Sequence, residues 1–142
     1  METDVTKRVL IVDDDLIVIA VLREFFAYFQ HGHAYEITSA RSVAEGSDIL
    51  LRERFDLILM DMVMPQTGDR RPWEQGLDLL KRVRDLGIKA PVLMMTGGWD
   101  TGKEAEALNK GVLGHLHKPF AMRELDHLVA FALGSGSGAT GG

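Results

Sequence analysis

Short apolar runs alternate with longer amphipathic stretches along the chain. Val9–Val12 is a run of β-branched and apolar residues, ended by three aspartates and followed by the apolar-rich stretch Leu16–Phe29. That order predicts a strand, a loop and a helix. Tyr35–Ala40 predicts a second strand and Ser42–Arg52 a second helix, with Ser42 and Glu45 at capping-box spacing. Asp56–Met60, Pro91–Met95 and Val112–His117 read as three further strands. Leu77, Leu80, Val83 and Leu86 mark one helical face over Gly76–Leu86, and Leu125, Leu128, Val129 and Ala132 do the same over Met122–Leu133. A shorter helix over Lys103–Asn109, closed by Gly111, completes five βα units.

Apolar strands alternating with amphipathic helices imply a parallel sheet covered on both faces, because right-handed crossovers place helices there. The fold class is therefore α/β, doubly wound. In such sheets the ligand crevice lies beyond the carboxyl ends of the strands. Residues that carry function should stand just after the strands.

Composition narrows the class without changing the pattern. A chain of 142 residues suits one domain with a core large enough to fold unaided. A formal charge of −5 argues against a surface that neutralises nucleic-acid phosphates. With no cysteine, disulfides, thiolate metal sites and a Cys nucleophile are excluded. Met1–Arg8 is polar, and no apolar run approaches the roughly 20 residues that span a bilayer. A cytoplasmic protein without membrane contact is expected. Residues 8–133 form the expected domain. Gly134–Gly142, built of Gly, Ser, Ala and Thr, reads as a flexible tail or linker.

The predicted strand ends collect Asp13, Asp14 and Asp15 after the first strand, Asp61 after the third, Thr96 after the fourth and Lys118 after the fifth. Converging carboxylates repel one another unless a cation is present. Oxygen-only ligands suit Mg²⁺, which takes one or two carboxylates and keeps waters for phosphate oxygens. Lys118 adds a point charge for a phosphoryl oxygen and Thr96 a hydroxyl that can donate to another. A carboxylate in this setting can attack phosphorus in line and form an aspartyl phosphate, and Asp61 is placed for that role. Pro119 makes the preceding peptide one where a cis turn is inexpensive, and such a turn could aim the Lys118 ammonium inward. Asp15 reads as a helix N-cap.

At these residues the chain resembles the CheY-like receiver domains of bacterial response regulators. The resemblance spans Arg8 to Leu133 and rests on four segments: Val9–Asp15; Phe55–Asp61 with Met64 and Pro65 after it; Pro91–Gly97; and His117–Phe120. It implies a flavodoxin-like sheet of five strands in the order 2-1-3-4-5 with five helices. It further implies Asp13 and Asp14 as the acidic pair holding Mg²⁺, Asp61 as phosphoacceptor and Val63 as donor of a backbone carbonyl to the metal. Thr96 and Lys118 match the hydroxyl and ammonium that read the phosphoryl group, with Thr96 and His115 as switch positions. The implied partners are a histidine kinase or histidine phosphotransfer protein and a downstream protein target, and the resemblance allows a homodimer through the last strands and helices. No turnover of an external substrate is expected.

Two features depart from the family. Gln66–Gln75 is longer than the usual turn and would set Arg70, Arg71 and Trp73 beside the pocket, either to guide a partner or as a tolerated surface insertion. His115 stands where the family commonly has Tyr or Phe; it either titrates within the switch or is a half-exposed strand residue. Trp99 either gates the site or covers apolar surface. The pairs His31/His33 and His115/His117 read as incidental rather than as metal ligands, for want of further donors. Phe25, Phe26, Tyr28 and Phe29 read as core. Two other functions compete: a receiver-like docking module that is not phosphorylated, and a haloacid-dehalogenase-like phosphohydrolase. Val63 counts against the latter, because that family needs an Asp there.

Overall fold

The computed structural model describes residues 5–62, 74–97 and 111–134. Along the chain run β1 (Thr6–Val12), α1 (Leu16–Tyr28), β2 (Ala34–Ala40), α2 (Val43–Arg52), β3 (Leu57–Asp61), α3 (Glu74–Asp85), β4 (Val92–Thr96), β5 (Gly114–His117) and α4 (Met122–Leu133). The five strands form one parallel sheet in the order β2-β1-β3-β4-β5. Four helices stand among the described residues; the helix expected over Lys103–Asn109 lies outside them.

Successive strand side chains point to opposite faces, so an apolar strand feeds two cores at once. Leu10, Val12, Ile58, Met60, Val92 and Met94 pack with α2 and α3 on one side. Val9, Ile11, Leu57, Leu59, Leu93 and Met95 pack with α1 and α4 on the other. All twelve have 0% exposure. Each such side chain contributes about 1.5–3 kcal/mol on burial, enough to offset the ordering of the strand that carries it.

Helix boundaries follow from local chemistry. The Asp15 carboxylate accepts from Ile17 N at 2.8 Å and Val18 N at 3.4 Å, capping α1 as expected. Ser42 Oγ accepts from Glu45 N at 3.1 Å, but Glu45 Oε1 reaches back to Arg41 N, one residue earlier than in the usual box. Helix α4 ends at Gly134, whose φ of 69° is the left-handed cap that a Cβ would strain.

Several boundaries differ from the sequence expectation. Strand β1 begins at Thr6 rather than Val9, because Thr6, Lys7 and Arg8 pair with Ala34, Tyr35 and Glu36 through backbone groups that carry no apolar signal. Strand β5 begins at Gly114, although Leu113 N already donates to the Val92 carbonyl. Glu74 and Gln75, expected in the long loop, already belong to α3, and the remainder of that loop lies outside the described residues. No described helix is long and apolar enough to cross a membrane.

Candidate functional site

Parallel pairing in register carries the ends of β1, β3 and β4 to one rim. Val12 pairs with Met60 and Asp61 with Met95, so Asp13 and Asp61 finish neighbouring strands. Asp13 is fully buried, Asp61 is 6% exposed and Thr96 2% exposed. Backbone bonds fix the rim: Asp13 N donates to the Ala40 carbonyl at 2.9 Å, Met62 N to Met95 at 2.9 Å and Lys118 N to Thr96 at 2.7 Å. Asp61 and Thr96 are thus the last residues of their strands rather than the first residues after them.

Lys118 sits at the centre. Its Nζ donates to Asp13 Oδ2 at 2.8 Å and to Asp61 Oδ2 at 3.1 Å. Asp13 Oδ1 accepts from Asp15 N at 2.9 Å, so both oxygens of this buried carboxylate are engaged. The Lys118–Pro119 peptide is cis. Burial alone would lower the Lys118 pKa, but the hydrogen bond it donates to Asp13 and the charges of Asp61 and Asp13 outweigh it and hold the ammonium above the ordinary lysine value.

Asp13, Asp14 and Asp61 each offer a carboxylate oxygen, and these atoms lie within 4.8 Å of one another. Among the described residues, three carboxylates against a single lysine leave net negative charge at the rim. An oxygen donor set of this kind fits a small hard divalent cation such as Mg²⁺ better than a thiolate- or imidazole-seeking one.

The structure therefore brings together Asp13, Asp14, Asp61, Thr96 and Lys118. Val63, Arg70, Arg71, Trp73 and Trp99 lie outside the described residues. His115 is half-buried on β5, in register with Met94, and His117 is exposed beside Thr96. Gly76 was read from sequence only as the start of a helix. A Cβ there would come within 2.7 Å of the Met62 carbonyl oxygen and 2.8 Å of Met62 Cα, so its lack of a side chain lets α3 approach the chain just after Asp61.

A second polar cluster was also missed. His31 Nδ1 lies 2.6 Å from the Tyr35 hydroxyl and Nε2 lies 2.6 Å from Asp126 Oδ1. His31, read only as one of an incidental histidine pair, is thus half of a tie between the α1–β2 turn and α4. No local pattern could announce it, because Asp126 is 95 residues away.

Residues 9–130 match the family model of the response regulator receiver domain. The chain belongs to that family. It is similar to the response regulator MprA of Mycobacterium sp. (strain KMS), 29% identical over 118 residues that cover 83% of this chain and 46% of that protein. The chain spans about half the length of the curated relatives it matches. Among solved structures it resembles a CheY-like receiver domain protein from Methanospirillum hungatei JF-1 at 27% identity and a TM-score of 0.75, covering 92% of this chain and 95% of that one. It also resembles the Francisella response regulator 1452 receiver domain at 26% identity and a TM-score of 0.74, covering 90% and 97%. This chain is the receiver domain of a two-component response regulator.

Proposed function

We propose that Asp61 accepts a phosphoryl group from a phosphohistidine of a histidine kinase or histidine phosphotransfer protein, and that the phosphorylated domain changes its affinity for a downstream protein. The observation that carries this reading is the Lys118 ammonium bridging Asp13 and Asp61 beside the three-carboxylate cluster. Asp13 is enclosed, with both oxygens engaged, whereas Asp61 keeps access to solvent. Asp61 is therefore the nucleophile of the pair.

In this reading Asp13, Asp14 and Asp61 hold Mg²⁺, with the Val63 carbonyl as a further ligand. When bound, the ion neutralises phosphoryl charge as it builds up. The Asp61 carboxylate forms the new P–O bond while the P–N bond to the donor imidazole breaks, and that imidazole leaves as the neutral base after protonation. Lys118 pairs with a phosphoryl oxygen and Thr96 donates its hydroxyl to another. Residues 8–133 act as the receiver unit, with residues 134–142 as tail or linker, and Thr96 and His115 carry the change toward β5 and α4.

A protein donor is supported by the surface next to Lys118. Ile17, Val21, Phe25, Pro119 and Phe120 line an apolar groove of about 400 Å³ that Lys118 itself borders. Ile17 and Val21 are 74% and 41% exposed there, leaving apolar surface for a partner to cover.

Incubation with Mg²⁺ and acetyl phosphate, followed by intact mass measurement, tests the proposal. A single phosphoryl adduct is expected in the wild type, none in Asp61→Asn and none with a chelator. Absence of any adduct in the wild type overturns it. Multiple-turnover release of phosphate from unrelated monoesters would instead favour a hydrolase.

A further inference from the structure

A second cavity, of about 560 Å³, opens at the other end of β3, between the α2–β3 turn and the α3–β4 turn. Its apolar wall includes Leu50, Phe55, Ile88 and Ala90, which sit on the α2/α3 core. Leu51 and Leu86 also line it and are 61% and 42% exposed, so large apolar side chains are left in water on both of its sides.

The charge of the cavity runs against that of the chain. Arg52, Arg54 and Lys89 line it, and its one acid, Glu53, is already taken by the Arg8 guanidinium. Basic residues near helix C-termini ordinarily compensate the helix dipole, an effect confined to the last turn. That accounts for Arg52, whose Nε donates to the Asp48 carbonyl. Helix α3 is served by Arg84, which donates to the carbonyls of Ile88, Ala90 and Gly111. Arg54 and Lys89 lie beyond both helices, and among the described residues neither side chain has a hydrogen-bonded or ion-paired partner.

Two uncommitted cations beside the apolar part of a mixed cavity, of the size that takes small molecules, call for an anion with an apolar body. We propose that this cavity binds a small amphiphilic carboxylate, its acid group at Arg54 and Lys89 and its chain along Leu50, Phe55 and Ile88. The site is separate from the acidic rim and does not depend on phosphorylation of Asp61.

Titration of the full ¹⁵N-labelled chain with decanoate, below its micellar concentration, tests this by amide chemical shifts. Saturable shifts are expected over residues 50–55 and 86–90. Octanoate, two methylenes shorter, should bind about tenfold more weakly. Decanol, which lacks the charge, should also lose about tenfold, as should decanoate on an Arg54→Gln/Lys89→Gln variant. Absence of saturation overturns the proposal, as do shifts centred on the Ile17–Phe25 groove. Equal affinity for decanol and decanoate reduces the site to a bare apolar groove and overturns it too. If the double variant folds poorly, the decanol comparison on the unaltered chain decides.

Discussion

Lys118 Nζ lies 3.1 Å from Asp61 Oδ2, and the same nitrogen holds Asp13 at 2.8 Å. One cation thus offsets the mutual repulsion of two carboxylates at adjacent strand ends. Replacing Lys118 by Ala leaves these carboxylates facing each other without it, and should cost about 1–3 kcal/mol in metal-free buffer. Mg²⁺ should restore part of the loss, a result that urea unfolding with and without the ion would measure.

The same pairing fixes a pH window. Because the folded-state pKa of Lys118 is raised, its contribution is fully present below the unfolded value of 10.5 and disappears as pH rises through the higher folded value. The stability difference between wild type and Lys118→Gln should therefore be flat through neutral pH and shrink only above about pH 10.5. A difference already falling near pH 8 would contradict this assignment.

Asp14 is only half-buried and makes no side-chain hydrogen bond among the described residues, although its carboxylate stands within the 4.8 Å cluster. Asp14→Asn should thus leave metal-free stability within about 0.5 kcal/mol of wild type. It should nevertheless abolish most of the rise in melting temperature that Mg²⁺ gives by binding the folded state. Thermal scans across a magnesium titration would separate the two effects.

Gly76→Ala tests the close approach behind Asp61. The added methyl meets backbone atoms of Met62 that no rotamer change can move, so a cost of about 1–3 kcal/mol is expected. A slower phosphorylation of Asp61 by acetyl phosphate should accompany it, since the peptide that must shift adjoins the nucleophile. Unchanged stability and rate would show that α3 can retreat freely.

For His31→Ala, the loss of bonds to Tyr35 and Asp126 should cost about 1–2 kcal/mol in chemical denaturation, because the Tyr35 hydroxyl loses its partner in a part-buried setting. Burial, reinforced by the charge of Asp126, already pushes the Tyr35 phenol well above its ordinary pKa, so ionisation offers it no escape. His31→Phe should keep the stacking against Phe29 yet recover little, which distinguishes the hydrogen bonds from the ring contact.

Sequence legibility followed physical range. Strands β3 and β4 were plain because burial on both faces demands unbroken apolar runs, as Leu57–Met60 and Val92–Met95 supply. The gathering of Asp13, Asp61 and Lys118 was legible because parallel strands deliver their ends to one rim. Thr6–Arg8 was not, since edge pairing uses backbone groups common to every residue. Nor was the His31–Asp126 tie, where both partners are polar and their meeting depends on how α4 docks. Gly76 fell between these cases: a glycine at a helix start is visible, but the Met62 backbone that excludes a side chain is not.

The strand carrying Asp61 and the strand preceding Lys118 differ in what holds them. Strand β3 is hydrogen-bonded on both sides and wholly buried, whereas β5 is a four-residue edge strand with one buried position. Amides in well-covered central strands exchange with solvent only through global unfolding, while edge elements open locally. Exchange protection should accordingly be greatest at Leu57–Asp61 and lower by orders of magnitude at Gly114–His117. The half of the site that would capture the phosphoryl group is as durable as the fold, and the half that would sense it can open and reclose many times within one folded lifetime.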